Sequence, residues 1–283
     1  MLISKKYNNS LHYNLTKQLT KISRAFYSVA IIAYGVRQFI YGNFRKVQLP
    51  PWQYDLPALN ILAYVTGAGL IVGGAVIVFG KNARKVSLIL GAIFLLLCCL
   101  AHVPYELISE PNKSYHLGLW ENTLKELALA GGAFVVAGSC NEINWKERGV
   151  IMKSLEKIIP YGSIFFSITI TSFGIAHFMY LKFIAAMVPD CIPDHTFWAY
   201  FTGTALIGAG AGIFLDIRKR KIAALLGIMI FFWFIVVHIP GAISNPLADR
   251  GNSISSAFDA LAFSGISFLI AITSKTQADE NIN

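Results

Sequence analysis

The chain contains an internal duplication. Residues 64–104 align without a gap on residues 200–240, and the identities fall in short motifs of glycine, basic residues and His-x-Pro. The matched pairs are Thr66/Thr202, Gly67/Gly203, Leu70/Leu206, Ile71/Ile207, Gly74/Gly210, Arg84/Arg220, Lys85/Lys221, Gly91/Gly227, His102/His238 and Pro104/Pro240. A unit of roughly 135 residues is much longer than the 20–50 residues of a solenoid repeat. The sequence therefore predicts a duplicated domain, in which a site in one half should be sought in the other.

The composition is that of a membrane protein. Apolar residues make up 55% of the chain and charged residues 14%, against about 25% charged residues in soluble domains. A helix needs about 20 residues to cross a bilayer, and the long apolar segments lack the polar stripe of an amphipathic surface helix. Eight segments qualify, at residues 24–42, 58–80, 86–104, 120–140, 158–181, 197–215, 222–240 and 256–274. We predict an all-α polytopic integral membrane protein with eight transmembrane helices, rather than a soluble helical protein.

The positive charges predict an orientation. With the N-terminus inside, the cytoplasmic segments hold 17 Lys and Arg residues and the opposite loops hold five. Because cytoplasmic loops are enriched in Lys and Arg, we expect a multi-pass protein of the cell's inner (plasma) membrane with both termini cytoplasmic. The net charge of +9 then reflects this topology and attraction to anionic lipids. Membrane lipids are the expected partners, and nucleic acid is not.

Because each half has four spans, the chain enters the membrane from the same side in both halves. The two halves therefore have the same orientation, as in parallel-repeat transporters. The predicted units are a polar cytoplasmic N-terminal segment at 1–23, a four-helix unit at 24–140, a cytoplasmic linker at 141–157, a second four-helix unit at 158–274 and a cytoplasmic tail at 275–283. Residues 1–20 are too polar for the apolar core of a signal peptide, so the first span is expected to be an uncleaved anchor.

Polar side chains within the spans and at their outer ends form the candidate site. They are Arg37, Gln38, His102, Glu121, Lys125, Glu126, His177, His238 and Asp259. Counted along the helices at about 1.5 Å per residue, the ionisable groups inside the spans fall in the outer third of a hydrocarbon core about 30 Å thick. Such groups normally have a partner. The first expected pair is Arg37–Glu126, with Glu121–Lys125 one helical turn apart; a purely structural ion pair is an open alternative.

The two halves differ within this candidate set. The second half has His177 at the position of Gln38 and Asp259 at the position of Lys125. If each half carries a site, the two sites need not act alike.

Glycine and cysteine residues add no catalytic motif. The pairs Gly69/Gly73 and Gly208/Gly212 have the small-xxx-small spacing, which predicts close packing of helices in lipid. The four cysteines form no Cys-x-x-Cys pair and have no ligand spacing with a histidine. We therefore predict no metal site, and the catalytic residues stay unassigned.

Several short runs carry a family resemblance. They are Phe173–Tyr180 (FGIAHFMY), Val188–Pro193 (VPDCIP), Phe197–Gly203 (FWAYFTG), Val237–Pro240 (VHIP) and, in the first half, Trp120–Gly132 (WENTLKELALAGG). Together they resemble the DoxX-like membrane proteins. The resemblance implies a four-helix membrane unit, present twice over residues 24–274. The namesake of that family is the small membrane subunit of a thiosulfate:quinone oxidoreductase, and relatives are linked to membrane redox complexes.

The resemblance favours a non-catalytic or accessory membrane subunit that binds a quinone-like lipophilic ligand for a redox-enzyme partner. His102, His238, Arg37 and Glu126 would then hydrogen-bond or exchange protons with the ligand, since a histidine can titrate near neutral pH. The alternatives are a small-molecule or lipid transporter and a scaffold or assembly factor with no ligand. The cofactor stays unassigned, with quinone as the candidate. Haem ligation by the two histidines is disfavoured because both lie close to the membrane interface.

Overall fold

A computed structural model describes residues 2–52, 58–80, 82–109, 116–140 and 149–274. Within these ranges the only regular elements are helices, so the all-α prediction is confirmed. The α-helices are α1 (Leu2–Tyr41), α2 (Leu59–Phe79), α3 (Ala83–Leu97), α4 (Val103–Ser109), α5 (Glu121–Ser139), α6 (Val150–Glu156), α7 (Gly162–Met179), α8 (Leu181–Ala185), α9 (His195–Phe214), α10 (Lys219–Trp233), α11 (Ile239–Ser244) and α12 (Asn252–Thr273). The tail at 275–283 and most of the predicted linker, 141–148, lie outside the described residues.

Six helical stretches of the described chain are long and apolar enough to cross a membrane. They are Leu59–Phe79, Ala83–Ser109, Val150–Met179, His195–Phe214, Lys219–Ser244 and Asn252–Thr273. The predicted spans at 24–42 and 120–140 are also helical, within α1 and α5. They fall outside the six because polar residues inside them, such as Arg37 in α1 and Lys125 in α5, lower their hydropathy.

Helix α1 is much longer than the predicted first span. It has 40 residues, which makes it about 60 Å long, roughly twice the hydrocarbon thickness of a bilayer. The polar segment predicted to precede the first span is therefore the first half of the same helix from Leu2 onward.

Two α-helices each continue through a π-helical turn. A π turn at Cys98–His102 joins α3 to α4, and a second at Phe234–His238 joins α10 to α11. In each case a proline follows the turn, and proline both lacks an N–H and clashes with the carbonyl four residues earlier. The wider turn lets the Val103 N–H bond to the carbonyl of Cys98, five residues back. His102 and His238 thus end the two π turns.

Helices α5 and α12 lie at the centre of the bundle and pack against each other. All residues of α5 from 128 to 137 and of α12 from 259 to 267 are buried. Helix α1 packs against α2 and α12, whereas α7 packs against α9 and α5. The first long helix of each half therefore packs on the last long helix of the other half.

Glycines permit the closest helix crossings. A Cβ added at Gly35 would lie 2.4 Å from the carbonyl oxygen of Gly67, so α1 and α2 meet backbone to backbone. The predicted packing role of Gly69 and Gly208 is wrong, because a Cβ at either position would meet no described atom within 4 Å. Their spacing resembled a packing motif, but spacing does not reveal which face of a helix points at a neighbour.

Candidate functional site

A buried ion pair connects the loop after α1 to α12. Arg45 donates from Nη1 to Oδ1 of Asp259 at 2.6 Å and from Nη2 to Oδ2 at 2.5 Å. The two side chains are only 2% and 6% exposed. Bidentate geometry of this kind gives the strongest class of arginine–carboxylate bond. Burial acts to lower the pKa of Arg45, but the Asp259 carboxylate outweighs it and raises that pKa above its ordinary value.

Two further groups face the same carboxylate. The Tyr34 hydroxyl donates to Oδ1 of Asp259 at 2.6 Å, and the Arg45 guanidinium lies over the Tyr34 ring, 5.3 Å from its centroid. Lys125 Nζ lies 3.9 Å from Oδ2 of Asp259. The predicted Lys125–Glu121 ion pair is confirmed, and the Glu121 side chain is 54% exposed at the edge of this group of residues. Asp259 is therefore held by groups from α1, its following loop and α5.

Glu126 is fully buried and differs from Asp259 in having no hydrogen bond. Neither carboxyl oxygen has a partner among the described residues. The carboxyl lies close enough to Arg45 and Asp259 to interact with them electrostatically. The same holds for the Tyr27 hydroxyl and the Cys98 thiol. Buried polar groups are almost always hydrogen-bonded, so this carboxyl is an exception that requires an explanation.

The predicted Arg37–Glu126 pair is wrong. Arg37 donates to the carbonyl of Arg250 at 3.2 Å and to the side-chain oxygen of Asn43 at 2.8 Å. It also lies over the Tyr41 ring, 5.2 Å from its centroid. The two residues were expected at similar depth, but Arg37 binds the loops at the end of α1, and Arg45 supplies the interior cation instead.

Other buried polar atoms, on α5, on the first π turn and in the loop after α1, also lack partners within the described part of the chain. They are both ring nitrogens of His102, both side-chain amide atoms of Gln48, the Thr123 hydroxyl and Nε of Arg45. The His102 ring faces the Val47 backbone without completing a hydrogen bond of normal geometry. On the other side, Cys98 Sγ, one turn before His102, lies 3.7 Å from the Thr123 carbonyl oxygen.

We group the Asp259 ion pair and the buried polar side chains of the neighbouring elements as the interior polar cluster. Its members are Tyr34, Arg45, Gln48, His102, Thr123, Lys125, Glu126, His238 and Asp259. His238 is included because the π turn that it ends packs against α12, the helix that carries Asp259. The cluster draws on both halves of the chain, rather than forming one site in each half.

Two predicted residues lie elsewhere. The Gln38 side chain accepts a hydrogen bond from the Thr66 hydroxyl at 3.1 Å and thus faces α2. His177 Nδ1 lies 2.7 Å from the carbonyl oxygen of Phe173 in its own helix. Both therefore contribute to packing near the crossings of α1 with α2 and of α7 with α9.

Sequence reasoning missed Arg45, Tyr34, Gln48 and Thr123. Arg45 is one of the five Lys and Arg residues that the predicted topology places in the outer loops. A buried aspartate, however, requires a cationic or hydrogen-bonding partner. That requirement, applied to Asp259, could have directed attention to the loop cations next to the first span.

The cysteines and acidic groups form no metal centre in the described residues. No group of three or more His, Cys, Asp or Glu side chains there could hold a metal ion. Cys98, Cys99, Cys140 and Cys191 are free thiols.

A family model for a domain of unknown function, DUF8561, matches residues 166–260. This stretch runs from α7 into α12 and contains His238 and Asp259. No curated protein and no solved structure matches the chain. The geometry of the interior polar cluster is therefore the main evidence on function.

Proposed function

We propose that this chain is a DoxX-like integral membrane subunit that binds the head group of a quinone-like lipophilic ligand at the interior polar cluster and serves a redox-enzyme partner. The observation that carries the proposal is the set of buried, unpartnered polar atoms on Glu126, His102, Gln48 and Thr123. An oxidised quinone presents two carbonyl acceptors, and the reduced form presents two hydroxyl donors. Amide, imidazole, hydroxyl and carboxyl groups together supply partners for both forms.

The charges of the cluster favour a neutral ligand with exchangeable protons. Arg45 and Asp259 neutralise each other in their bidentate pair, and Lys125 is paired with Glu121. Glu126 is left without a salt-bridge partner in the described part of the protein. Carboxyl and imidazole groups are common proton donors and acceptors. We assign ligand binding and proton exchange to this chain and electron transfer to the partner.

The π turn that ends at His102 also supports a ligand site. Such turns are rare in proteins and occur frequently at functional sites. Here the turn places the fully buried His102 ring against the loop that carries Arg45 and Gln48. The opposite face of the same turn is apolar and open, with Leu100 71% exposed. A ligand with a polar head and an apolar tail fits this change of polarity across one turn.

We further propose eight membrane spans arranged as two parallel four-helix repeats. Close contacts recur between the halves and support this arrangement. They are Gly35 on Gly67 and Gly174 on Gly203; Gly91 on Phe134 and Gly227 on Phe268; and Gly131 on the carbonyl of Gly162 and Gly265 on that of Ser23. The π turns before Val103 and Ile239 recur in the same way. The two central helices α5 and α12 would then lie about the axis that relates the repeats.

Native cysteines can test the membrane orientation, which we place in the inner (plasma) membrane with both termini cytoplasmic. Cys191 is exposed in the loop before α9, on the outer side in this topology. We expect a membrane-impermeant maleimide to label it in intact cells, with Cys191→Ser as the control. Labelling of Cys191 only after the cells are opened would reverse the orientation.

Ligand extraction tests the proposed function. We expect protein purified in mild detergent to release a quinone into organic solvent and to show its added mass in native mass spectrometry. Glu126→Gln should lose most of this quinone, whereas Glu121→Gln, a change at the exposed rim, should keep it. A wild-type protein with no extractable quinone would contradict the proposal. Recovery of a stoichiometric protein partner from such a ligand-free preparation would favour the scaffold alternative.

A further inference from the structure

A second candidate site lies at the opposite end of α5 and α12 from the interior polar cluster. A cavity of about 270 Å³ opens there between the ends of α5 and α12 and the starts of α7 and α10. Its lining residues include apolar Val135, Ile159, Pro160 and Ile270. The polar side chains that line it are Ser163, Lys219, Thr273 and Ser274. The cavity is thus lined by both apolar and polar side chains, and it shares no lining residue with the proposed quinone site.

The C-termini of two helices border the cavity. Helices α5 and α12 end beside it at Ser139 and Thr273. The last four carbonyls of a helix lack intrahelical partners, and the partial negative charge there favours cations. Cationic groups with N–H donors are therefore the natural partners of this end of the bundle.

The α5 terminus has such partners within the protein. Arg24 donates to the carbonyl and hydroxyl oxygens of Ser139. Arg84 donates to the carbonyl oxygens of Ala137 and Cys140, each at 3.2 Å. At the α12 terminus, no described Lys or Arg hydrogen-bonds a carbonyl of residues 270–274.

Matched contacts explain the difference between the two termini. Gly131 of α5 meets the carbonyl of Gly162, and Gly265 of α12 meets the carbonyl of Ser23. Gly162 is therefore the counterpart of Ser23, and the next residue, Ser163, is the counterpart of Arg24. Ser163 is 7% exposed, lines the cavity and makes no side-chain hydrogen bond to a described residue. The cavity thus lies where an arginine side chain lies in the other half.

A basic side chain borders the same cavity. Lys219 begins α10. Its side chain is 21% exposed, and Nζ lies 3.4 Å from Oδ1 of Asp216, whose side chain is 70% exposed. Arg218 and Arg220 flank it in the sequence, and clusters of basic residues at a membrane surface attract lipid phosphates. A ligand that satisfies both sides needs an ammonium for the α12 carbonyls and a phosphate for Lys219.

We propose that this cavity binds the head group of an aminophospholipid, with its primary ammonium in the place that Arg24 takes in the other half. The ammonium donates to carbonyl oxygens at the end of α12 that bind no described Lys or Arg, and to the Ser163 hydroxyl. The phosphate pairs with Lys219, and the glycerol and first methylene groups contact the apolar wall.

Lipid exchange followed by native mass spectrometry tests this assignment on the full-length protein. The probes are phosphatidylethanolamine, phosphatidylcholine and phosphatidylglycerol with identical acyl chains. Phosphatidylcholine has no N–H donor, and phosphatidylglycerol has no ammonium. We expect phosphatidylethanolamine to be retained roughly tenfold more than either, a preference equal to 1.4 kcal/mol. Equal retention of the three lipids would overturn the proposal.

Two substitutions locate the site. Ser163→Arg places the counterpart of Arg24 in the cavity and should abolish the preference, whereas Ser154→Arg, which adds the same charge at an exposed position of α6, should keep it. Lys219→Ala should weaken retention of all three lipids, and it serves as the test if Ser163→Arg does not fold. Unchanged lipid retention in both Ser163→Arg and Lys219→Ala would contradict the site.

A soluble head group separates a lipid from a free metabolite. Phosphoethanolamine has the ammonium and phosphate but no acyl chains. We expect millimolar phosphoethanolamine to displace little bound lipid. Binding of phosphoethanolamine as tight as that of the lipid would overturn the assignment to a membrane phospholipid.

Discussion

Arg45 and Asp259, which are 214 positions apart in the chain, form a bidentate ion pair whose side chains are 2% and 6% exposed. The pair connects the loop that follows α1 to the central helix α12. It therefore fixes the position of a loop that also carries the buried Gln48 and faces His102. The interior polar cluster depends on a contact between the two halves.

Breaking this pair should be strongly destabilising. Removal of one partner leaves an uncompensated buried charge, which costs about 3–5 kcal/mol. We expect Asp259→Ala to lower the free energy of unfolding by this amount, measured by unfolding in mixed detergent micelles. The matched control is Lys46→Ala, because the Lys46–Asp249 pair is 57% and 54% exposed and should contribute less than about 1 kcal/mol. Similar losses for the two variants would contradict the burial argument.

The Tyr34 hydroxyl should contribute more than that of Tyr27. Tyr34 donates to the charged Asp259, and hydrogen bonds to charged groups are worth about 1.5–3 kcal/mol. Tyr27, equally buried, donates to the neutral carbonyl of Leu129 at 2.9 Å, for which about 0.5–1.5 kcal/mol is expected. Unfolding of Tyr34→Phe and Tyr27→Phe under the same conditions tests this order. A larger loss of stability for Tyr27→Phe than for Tyr34→Phe would contradict this order.

The crossing of α1 and α2 should not tolerate a methyl group. A Cβ at Gly35 would lie 2.4 Å from a backbone oxygen that cannot move aside freely, and overpacking of this kind costs about 1–3 kcal/mol. We expect Gly35→Ala to lower the free energy of unfolding by that amount. Gly69→Ala, where a Cβ meets nothing within 4 Å, should stay within about 0.5 kcal/mol of wild type. Equal effects would show that the helices do not cross at Gly35.

The two halves should fold only together. Helix α1 packs on α12, and α7 packs on α5, so each half alone leaves a first helix without a main partner. We expect fragments 1–148 and 149–283 to copurify when they are coexpressed and to be lost or aggregated when expressed singly. The measurement is the yield of monodisperse protein by size-exclusion chromatography. A stable, monodisperse single half would contradict the interlocked packing.

Hydropathy predicts most of the helices because lipid permits few alternatives to a helix. The segment predicted at 58–80, for example, is the helix Leu59–Phe79. The extension of α1 back to Leu2 was not predicted, since hydropathy carries no signal for a helix of polar sequence. Nor does the duplication indicate that α1 packs on α12. Sequence identity shows which residues are equivalent, but not which helices are neighbours.

The sequence predicted a pair of site residues correctly where both lie in one helix. It did not predict the pairs that join different helices or loops. Glu121–Lys125 was found because a spacing of four residues fixes two side chains on one face of a helix. Arg37–Glu126 was wrong because equal depth says nothing about rotation around the helix axis. Arg45 was missed because a loop residue can fold back into the protein interior, which a count of loop charges does not reveal.

Equilibrium titration with a short-chain quinone tests the proposed function most directly. The dissociation constant can be measured by calorimetry for wild type, Glu126→Gln and Glu121→Gln. Glu126→Gln leaves the ligand group that faced the carboxyl without its partner, which costs about 1–3 kcal/mol and should raise the dissociation constant roughly 5–150-fold. Glu121→Gln should match wild type, because Glu121 is 54% exposed at the rim. Equal dissociation constants for all three proteins, or no binding to wild type, would contradict a quinone site at the interior polar cluster.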